Sequence, residues 1–189
     1  GFERRVARLA GVELPLQPCR VQVAFFTPPP DAKPAPYVFA DFPNVLYFRP
    51  ETGGLTLAGS LDPSEANNHV DPDNVNERVD LDFVGDAWTR LNARFPGMER
   101  GANRGGYASV YDITPDWHPI IDEVPAGSGF FVAAGHSGHG FKLGPAVGVM
   151  VADLVTRQRT DGLDPTLFRY DRYIEGKPVR SRYDYSIAG

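Results

Sequence analysis

The sequence predicts an α+β fold with a largely antiparallel mixed sheet and flanking helices. The 189 residues include 20 Gly and 18 Pro without a three-residue glycine period, which indicates frequent turns and excludes collagen. The 12 Phe, 8 Tyr and 2 Trp supply a hydrophobic core, so a disordered chain is not expected. Short apolar runs between these turns predict hairpin-linked strands, and two stretches with a period near 3.6 residues predict helices.

The first part of the chain predicts a short helix followed by a meander of hairpins. The helix covers residues 3–10 and ends at Gly11. Five prolines within residues 27–36 predict an exposed loop. Turns at residues 41–44 and 51–54 connect the hairpins. Strands rich in aromatic and β-branched residues are predicted at residues 17–26, 37–40, 45–49 and 55–60.

The second part of the chain mixes helices and strands. After a polar, turn-rich stretch at residues 60–76, apolar spacing predicts a helix over residues 82–95. The run GFFVAA at residues 129–134 is entirely apolar, which predicts a strand buried on both faces. The tail after Gly176 is polar and is expected to be loose. The remaining predicted elements are strands at residues 104–112 and 120–121, a loop at 135–140, a long helix to about residue 157, and an amphipathic helix at 165–173.

Composition narrows the classes of protein that fit. The net charge of −5 argues against a nucleic-acid-binding scaffold. Cys19 is the only cysteine, so an intrachain disulfide and a cysteine-rich zinc site are excluded, and a reducing, cytoplasmic location is expected. No apolar run approaches the ~20 residues of a membrane-spanning helix, and the first residues lack the apolar stretch of a signal peptide.

The segment from residue 130 to residue 155 has the strongest functional signal. A glycine-rich loop between a strand and a helix places backbone N–H groups at the positive end of the helix dipole, which suits an anion or a polarised carbonyl. The helix carries small residues at every fourth position, namely Gly140, Gly144, Gly148 and Ala152. Glycine costs about 1 kcal/mol per residue in a helix, so this face indicates a close approach. Either a tightly packed sheet or a flat ligand would explain it.

Other candidate residues allow two interpretations each. His136 and His139 have the i, i+3 spacing of a metal pair, but no third ligand is evident, so no metal is predicted. Lys142 is either solvated or faces a carboxylate or a ligand oxygen. Asp116 and Asp122 flank the sequence WHP, and capping of turns is the favoured interpretation for both.

Two segments identify a family resemblance, residues 111–122 (YDITPDWHPIID) and residues 131–148 (FVAAGHSGHGFKLGPAVG). They resemble the C-terminal part of the FAD-dependent amine and amino-acid oxidoreductases, which include sarcosine oxidase, glycine oxidase, D-amino acid oxidase and dimethylglycine dehydrogenase. Residues 47–50 (YFRP) and 53–55 (GGL) also fit the sheet of that family, so the similarity runs from about residue 11 to residue 155.

The resemblance implies roles for the loop and the helix start. They would lie against the pyrimidine side of a flavin, and backbone N–H groups with the helix dipole would stabilise the charge that hydride transfer leaves there. Lys142 would share that task and also hold the substrate carboxylate, while Tyr111 would line the substrate pocket. The implied cofactor-binding residues are Gly135, Ser137, Gly138, His139, Gly140, Phe141 and Lys142.

Three departures from the sarcosine oxidase pattern modify these expectations. Ser109 stands where sarcosine oxidase has the cysteine that attaches its flavin, so non-covalent FAD is expected. Thr56 and Ser60 replace its oxygen-activating lysine and its active-site histidine, which makes a dehydrogenase with another electron acceptor plausible.

The nucleotide-binding fingerprint of the family is absent from the 189 residues. The resemblance therefore implies the C-terminal half of a longer enzyme, whose partner is the missing FAD-binding half and whose substrate is a small amine or amino acid. Residues 1–128 would form the substrate-binding sheet domain, and residues 129–189 the flavin-facing strand, loop and helices that return to the FAD domain. The alternative is a non-catalytic binding module that kept the sheet and lost the cofactor half.

Overall fold

The computed structural model describes residues 1–180 and groups the chain into two compact units. The first unit combines Gly1–Cys19 with the chain from Tyr111 onward, and the second is Arg20–Val110. This grouping differs from the predicted division at residues 128/129. The reason is that residues 120–123 pair with residues 131–134 across that point, so the two segments share one hairpin.

The second unit is built around a five-stranded sheet with the order β2-β3-β4-β1-β5. The pairings β1–β4, β2–β3 and β3–β4 are all antiparallel, which confirms the predicted meander. One helix, α2 (Leu81–Arg94), belongs to the same unit. The strands are β1 (Gln17–Thr27), β2 (Phe39–Asp41), β3 (Leu46–Glu51), β4 (Leu55–Ser60) and β5 (Ala102–Ile113). The first three residues of β1 and the last three of β5 are assigned to the first unit.

The core of the second unit lies between one face of this sheet and α2. Register places Ala24 of β1 and Phe48 of β3 on either side of Ala58 of β4, so all three side chains point to the same face. From α2, Val84 and Leu91 pack into the same cluster because they recur at the helical period. This arrangement is the predicted α+β class, with an antiparallel sheet covered by a helix.

Up to residue 180, the first unit contains a short hairpin and two α-helices. Its elements are α1 (Glu3–Leu9), β6 (Ile120–Glu123), β7 (Phe131–Ala134) and α3 (Gly140–Thr156). The hairpin β6–β7 is antiparallel, with Ile120 opposite Ala134. Its core gathers Leu14 and Leu16 against Ile120, Val132 and Ala134. The loop between β7 and α3 therefore starts from a strand that is anchored in a core.

Two predicted features of the first unit are wrong. The strand at residues 129–134 is not buried on both faces: Val132 and Ala134 are buried, whereas Ala133 is exposed. Among the described residues it pairs only with β6. On its other face the Arg157 guanidinium lies over the Phe131 ring, 5.7 Å from the ring centroid, while Ala133 stays exposed. The helix predicted at residues 165–173 is two short 3₁₀ segments, Pro165–Phe168 and Tyr170–Arg172.

The tail predicted to be loose is held in place over its described part. The backbone N–H of Lys177 donates to the carbonyl of Arg172 at 2.7 Å, and that of Val179 to a carboxylate oxygen of Asp116 at 2.9 Å. The rest of that prediction, residues 181–189, lies outside the described residues. Among residues 1–180, no helix has the length and apolar character needed to cross a membrane.

Candidate functional site

The loop of residues 135–139, called here the glycine loop, has an unusual backbone. Gly135, Ser137 and Gly138 all have positive φ, at 68°, 48° and 88°. A side chain in this conformation costs about 1–2 kcal/mol, so Ser137 needs compensation. The Ser137 N–H donates to the carbonyl of Asp112 at 3.2 Å, and its hydroxyl donates to the carbonyl of Gly135 at 3.2 Å. The buried Ser137 side chain therefore fixes the shape of the loop.

Two glycines of the loop are required by close neighbours. A Cβ on Gly135 would lie 2.4 Å from Cγ2 of Thr114 and 2.5 Å from Cδ2 of Leu16. A Cβ on Gly138 would lie 2.4 Å from Cε2 of Tyr111. The structure thus brings together Tyr111 and Gly138, which the family resemblance assigns to the substrate pocket and to the cofactor.

The first turn of α3 presents donors that nothing described accepts. The helix begins at Gly140, so the N–H groups of Gly140, Phe141 and Lys142 have no intrahelical acceptor, and no other described acceptor meets them. The N–H of Gly138 likewise meets no acceptor among the described residues. The first turn holds no acidic residue that would compete for an anion. These N–H groups and the helix dipole make the N-terminus of α3 a positive surface that is rich in hydrogen-bond donors.

The side chains around these donors differ in exposure. Phe141 is fully exposed and Lys142 is exposed, so both project from the first turn. His139 is buried, and His136 is half-buried. Burial lowers the pKa of His136, with a smaller opposing effect from Glu3, so its imidazole is neutral near pH 7. Lys142 is therefore the positive side chain at the start of α3.

The small-residue face of α3 is open in the described structure. An added Cβ on Gly144 or Gly148 would meet no atom within 4 Å. The tightly packed sheet that would explain these glycines is thus not found among residues 1–180. Gly140 is the exception, because its Cβ would lie 2.9 Å from Cβ of His136.

The histidines and the predicted capping aspartates have clear positions. The described residues contain no group of three or more His, Cys, Asp or Glu side chains that could hold a metal. Asp122 caps backbone N–H groups, those of Glu123 at 2.9 Å and Tyr170 at 2.8 Å. Asp116 accepts the N–H of His118 at 3.2 Å, as capping requires, but it also pairs with Arg172 at 2.8 Å. Local sequence patterns carry no signal for that partner, since Arg172 lies 56 residues away.

Two of the three residues that depart from the sarcosine oxidase pattern, Thr56 and Ser60, are uncharged and have local roles. Thr56 is buried in β4, and its hydroxyl oxygen accepts the N–H of Ala35 at 3.5 Å. Ser60 ends β4 and accepts the N–H of Asp62 at 3.0 Å.

Comparison with known proteins defines the class. The sequence matches the FAD-dependent oxidoreductase (DAO) family over residues 2–154, and the chain belongs to that family. It is 33% identical over 175 residues to the FAD-dependent oxidoreductase domain-containing protein 1 of Bos taurus, which covers 91% of this chain and 35% of that protein. It is 34% identical to the monomeric sarcosine oxidase of Bacillus sp. strain NS-129, covering 85% of this chain and 42% of that enzyme.

Solved structures agree with this assignment. The L-proline dehydrogenase of P. horikoshii superposes with a TM-score of 0.76 at 24% identity, over 91% of this chain and 44% of that one. The glycine oxidase of Geobacillus kaustophilus gives a TM-score of 0.69 at 27% identity, over 89% of this chain and 42% of that one. The amino-acid-oxidase type of fold predicted from the sequence is confirmed, and the chain spans about two-fifths of the length of these relatives.

Proposed function

We propose that this chain is the C-terminal half of an FAD-dependent oxidoreductase that oxidises the C–N bond of a secondary amine or amino acid. The observation that carries the proposal is the glycine loop, which holds a set of unpaired backbone donors beside Tyr111 in a chain of this family. Relatives named monomeric sarcosine oxidase and N-methyl-L-tryptophan oxidase support an amine or amino-acid substrate.

The residues at the start of α3 fit the electronegative edge of a flavin. Four backbone N–H groups, those of Gly138, Gly140, Phe141 and Lys142, point to no described acceptor. The open glycine face leaves room for a flat ring to approach the backbone, because no Cβ or neighbouring atom fills it at Gly144 and Gly148. Gly135, Ser137 and His139 act by holding this loop rather than by presenting charge.

The bound flavin would supply an acceptor for a hydride from the substrate carbon. The chain's own residues then have three tasks. The backbone donors and the α3 dipole stabilise negative charge at the site they face. Lys142 binds the substrate carboxylate through its ammonium group. Tyr111, fixed against Gly138, forms a wall of the substrate pocket.

Flavin should be present and non-covalent in the full-length protein. Ser109 is exposed in β5, and its hydroxyl offers no thiol for attachment. We expect visible absorption bands at about 370 and about 450 nm, and we expect acid precipitation to leave the yellow colour in the supernatant. A colourless protein would remove the basis of the proposal, and a yellow pellet would mean that another residue attaches the flavin.

We also propose that the N-terminal half of the enzyme covers an apolar surface of the first unit. Phe2, which precedes α1, and Val6 and Leu9 of α1 are 48%, 56% and 89% exposed. A cleft of about 480 Å³ runs between α1 and the strand segment 130–134. Contiguous exposed apolar surface of this kind marks an interaction site. The relatives carry a further half that this chain does not span, which makes that half the expected occupant.

If the N-terminal half covers this surface, the isolated chain should expose more apolar surface than the full-length protein. Expressed alone, residues 1–189 should bind the apolar dye anilinonaphthalene sulfonate with several-fold greater fluorescence than the full-length protein at equal molarity. The exposed charged substitution Val6→Glu should lower that fluorescence in the isolated chain. Equal dye fluorescence in the two proteins would show that the second half does not cover this surface.

A further inference from the structure

The side chain of Arg172 lies in the interior of the first unit, outside the site described so far. It is 0% exposed, and each of its five N–H groups has an acceptor. Nε and Nη2 donate to the two carboxylate oxygens of Asp116 at 2.8 and 3.0 Å. Nη1 donates to the carbonyls of Phe168 and Arg169 at 2.8 and 3.0 Å, and Nη2 also donates to that of His118 at 2.9 Å.

Both carboxylate oxygens of Asp116 accept hydrogen bonds from this guanidinium. Its carboxylate also accepts the Tyr173 hydroxyl at 2.7 Å and the Val179 N–H at 2.9 Å. Burial by itself would raise the pKa of Asp116, but hydrogen bonds from Arg172, Tyr173 and Val179 outweigh it and lower that pKa to about 2. Burial and the bond to Asp116 raise the pKa of Tyr173. The pair is therefore fully charged and fully hydrogen-bonded at neutral pH.

A short chain of hydrogen bonds connects this pair to the glycine loop. The His118 carbonyl that accepts from Arg172 also accepts from the Thr114 hydroxyl, at 2.8 Å. The Thr114 N–H donates to the Ser137 hydroxyl oxygen at 3.2 Å, and the two hydroxyl oxygens lie 3.3 Å apart. Ser137 in turn donates to the carbonyl of Gly135. Thr114 and Ser137 are both 2% exposed, so water does not compete with these bonds.

We propose that Asp116 and Arg172 are positioning residues for the cofactor. They hold the 114–118 turn, and through Thr114 they hold the glycine loop with its N–H groups aimed outward. The inference rests on the proposed function, since it assigns these residues to the same flavin-facing loop. Stability alone is a weak explanation, because a buried ion pair often contributes no more than an apolar replacement would. The pair fixes the direction of the five N–H donors of Arg172, which an apolar cluster cannot do.

The test is made on the full-length protein with Arg172→Lys and Thr114→Val. Arg172→Lys keeps the positive charge but loses the planar fork that donates to Asp116, three backbone carbonyls and the Tyr173 hydroxyl. Thr114→Val removes one hydroxyl with little change in side-chain volume. The readouts are the Kd for FAD, from fluorescence titration of the apoprotein, and the visible circular dichroism of the bound flavin. Both are measured beside the thermal midpoint, which any destabilising change would lower.

The matched control is Arg20→Lys in the second unit. The Arg20 side chain is 9% exposed, pairs with Asp80 at 2.7 Å and donates to the carbonyl of Asn76 at 2.8 Å. It resembles Arg172 in burial and bonding, but it does not belong to the hydrogen-bonded chain of the loop. A lower thermal midpoint with an unchanged Kd for FAD is expected for this variant.

The expected result is a Kd for FAD raised at least about tenfold, with an altered flavin dichroism, in Arg172→Lys and in Thr114→Val, but not in Arg20→Lys. If both variants bind FAD as the wild type does, or if Arg20→Lys weakens binding equally, the pair is merely structural and the inference is overturned. Should Arg172→Lys not fold, Thr114→Val decides alone. A wild-type protein that binds no FAD overturns the proposed function as well, which separates the two failures.

Discussion

Lys142→Met in the full-length protein is expected to slow reduction of the bound flavin by substrate about 100-fold or more. Lys142 is the positive side chain at the start of α3, and it is exposed with no acidic residue in that turn to neutralise it. Removing a positioned charge next to a reacting centre costs on the order of 10²–10³ in rate. Methionine keeps the length and the helix propensity of lysine, so the fold should persist. Rapid mixing of enzyme and substrate, followed by flavin absorbance at about 450 nm, measures this step directly.

Two comparisons make this result specific. Lys177→Met removes an exposed lysine of the same unit, paired with Glu175 at 3.2 Å, and should leave the reduction rate within about twofold. With a substrate analogue in which an amide replaces the carboxylate, the difference in rate between wild type and Lys142→Met should become smaller, because Lys142 then has no substrate anion to bind. Unchanged reduction of the carboxylate substrate by Lys142→Met would show that Lys142 does not have the role proposed for it.

Local signals were enough to predict most of the elements. The hairpin turns of the second unit, the helix α2 and the loop before α3 are found where turn residues and apolar spacing put them. These features depend on residues within a few positions of each other, which is why the sequence reveals them. The antiparallel meander follows from the short turns, since such turns can join only antiparallel neighbours.

The failures share a different cause, which is long-range packing. The run GFFVAA is apolar, but whether both faces of the strand are buried depends on which distant elements pack against those faces. The 165–173 segment has a helical apolar pattern, but it forms two 3₁₀ turns. The Arg172 side chain points inward to Asp116, and the carbonyls of Phe168 and Arg169 accept hydrogen bonds from its guanidinium. The residues next to Arg172 in the sequence do not predict its pairing with Asp116.

The candidate site shows both kinds of result. The composition of residues 135–139 predicts the glycine loop. Gly138, which the family resemblance assigns to the cofactor, lies against Tyr111, which the resemblance assigns to the substrate pocket. The sequence does not predict the hydrogen bonds that hold the loop from below. Asp116 and His118 bind Arg172, which lies more than 50 positions away in the chain. The roles of Gly138 and its neighbours toward flavin stay predictions.

Gly138→Ala is the second change with a large expected effect. Gly138 has φ 88°, and its added Cβ would lie 2.4 Å from Cε2 and 2.9 Å from Cζ of Tyr111. The left-handed backbone alone costs about 1–2 kcal/mol, and overpacking the ring adds about 1–3 kcal/mol. Either the ring or the loop must move, so the unpaired donors lose their alignment. We expect a lower thermal midpoint and a Kd for FAD raised at least about tenfold.

Gly162→Ala separates backbone strain from the contact with Tyr111. Gly162 has φ 84°, close to that of Gly138, but its Cβ would meet no atom within 4 Å. Gly162→Ala should therefore lower the free energy of unfolding only by the cost of the left-handed backbone, and it should leave the Kd for FAD unchanged. In a Tyr111→Ala background, Gly138→Ala should lose its additional cost, because the ring that it strikes is gone. If Gly138→Ala costs the same with and without that ring, the loop is not positioned by Tyr111, and its donors must be held by the Ser137 and Thr114 bonds alone.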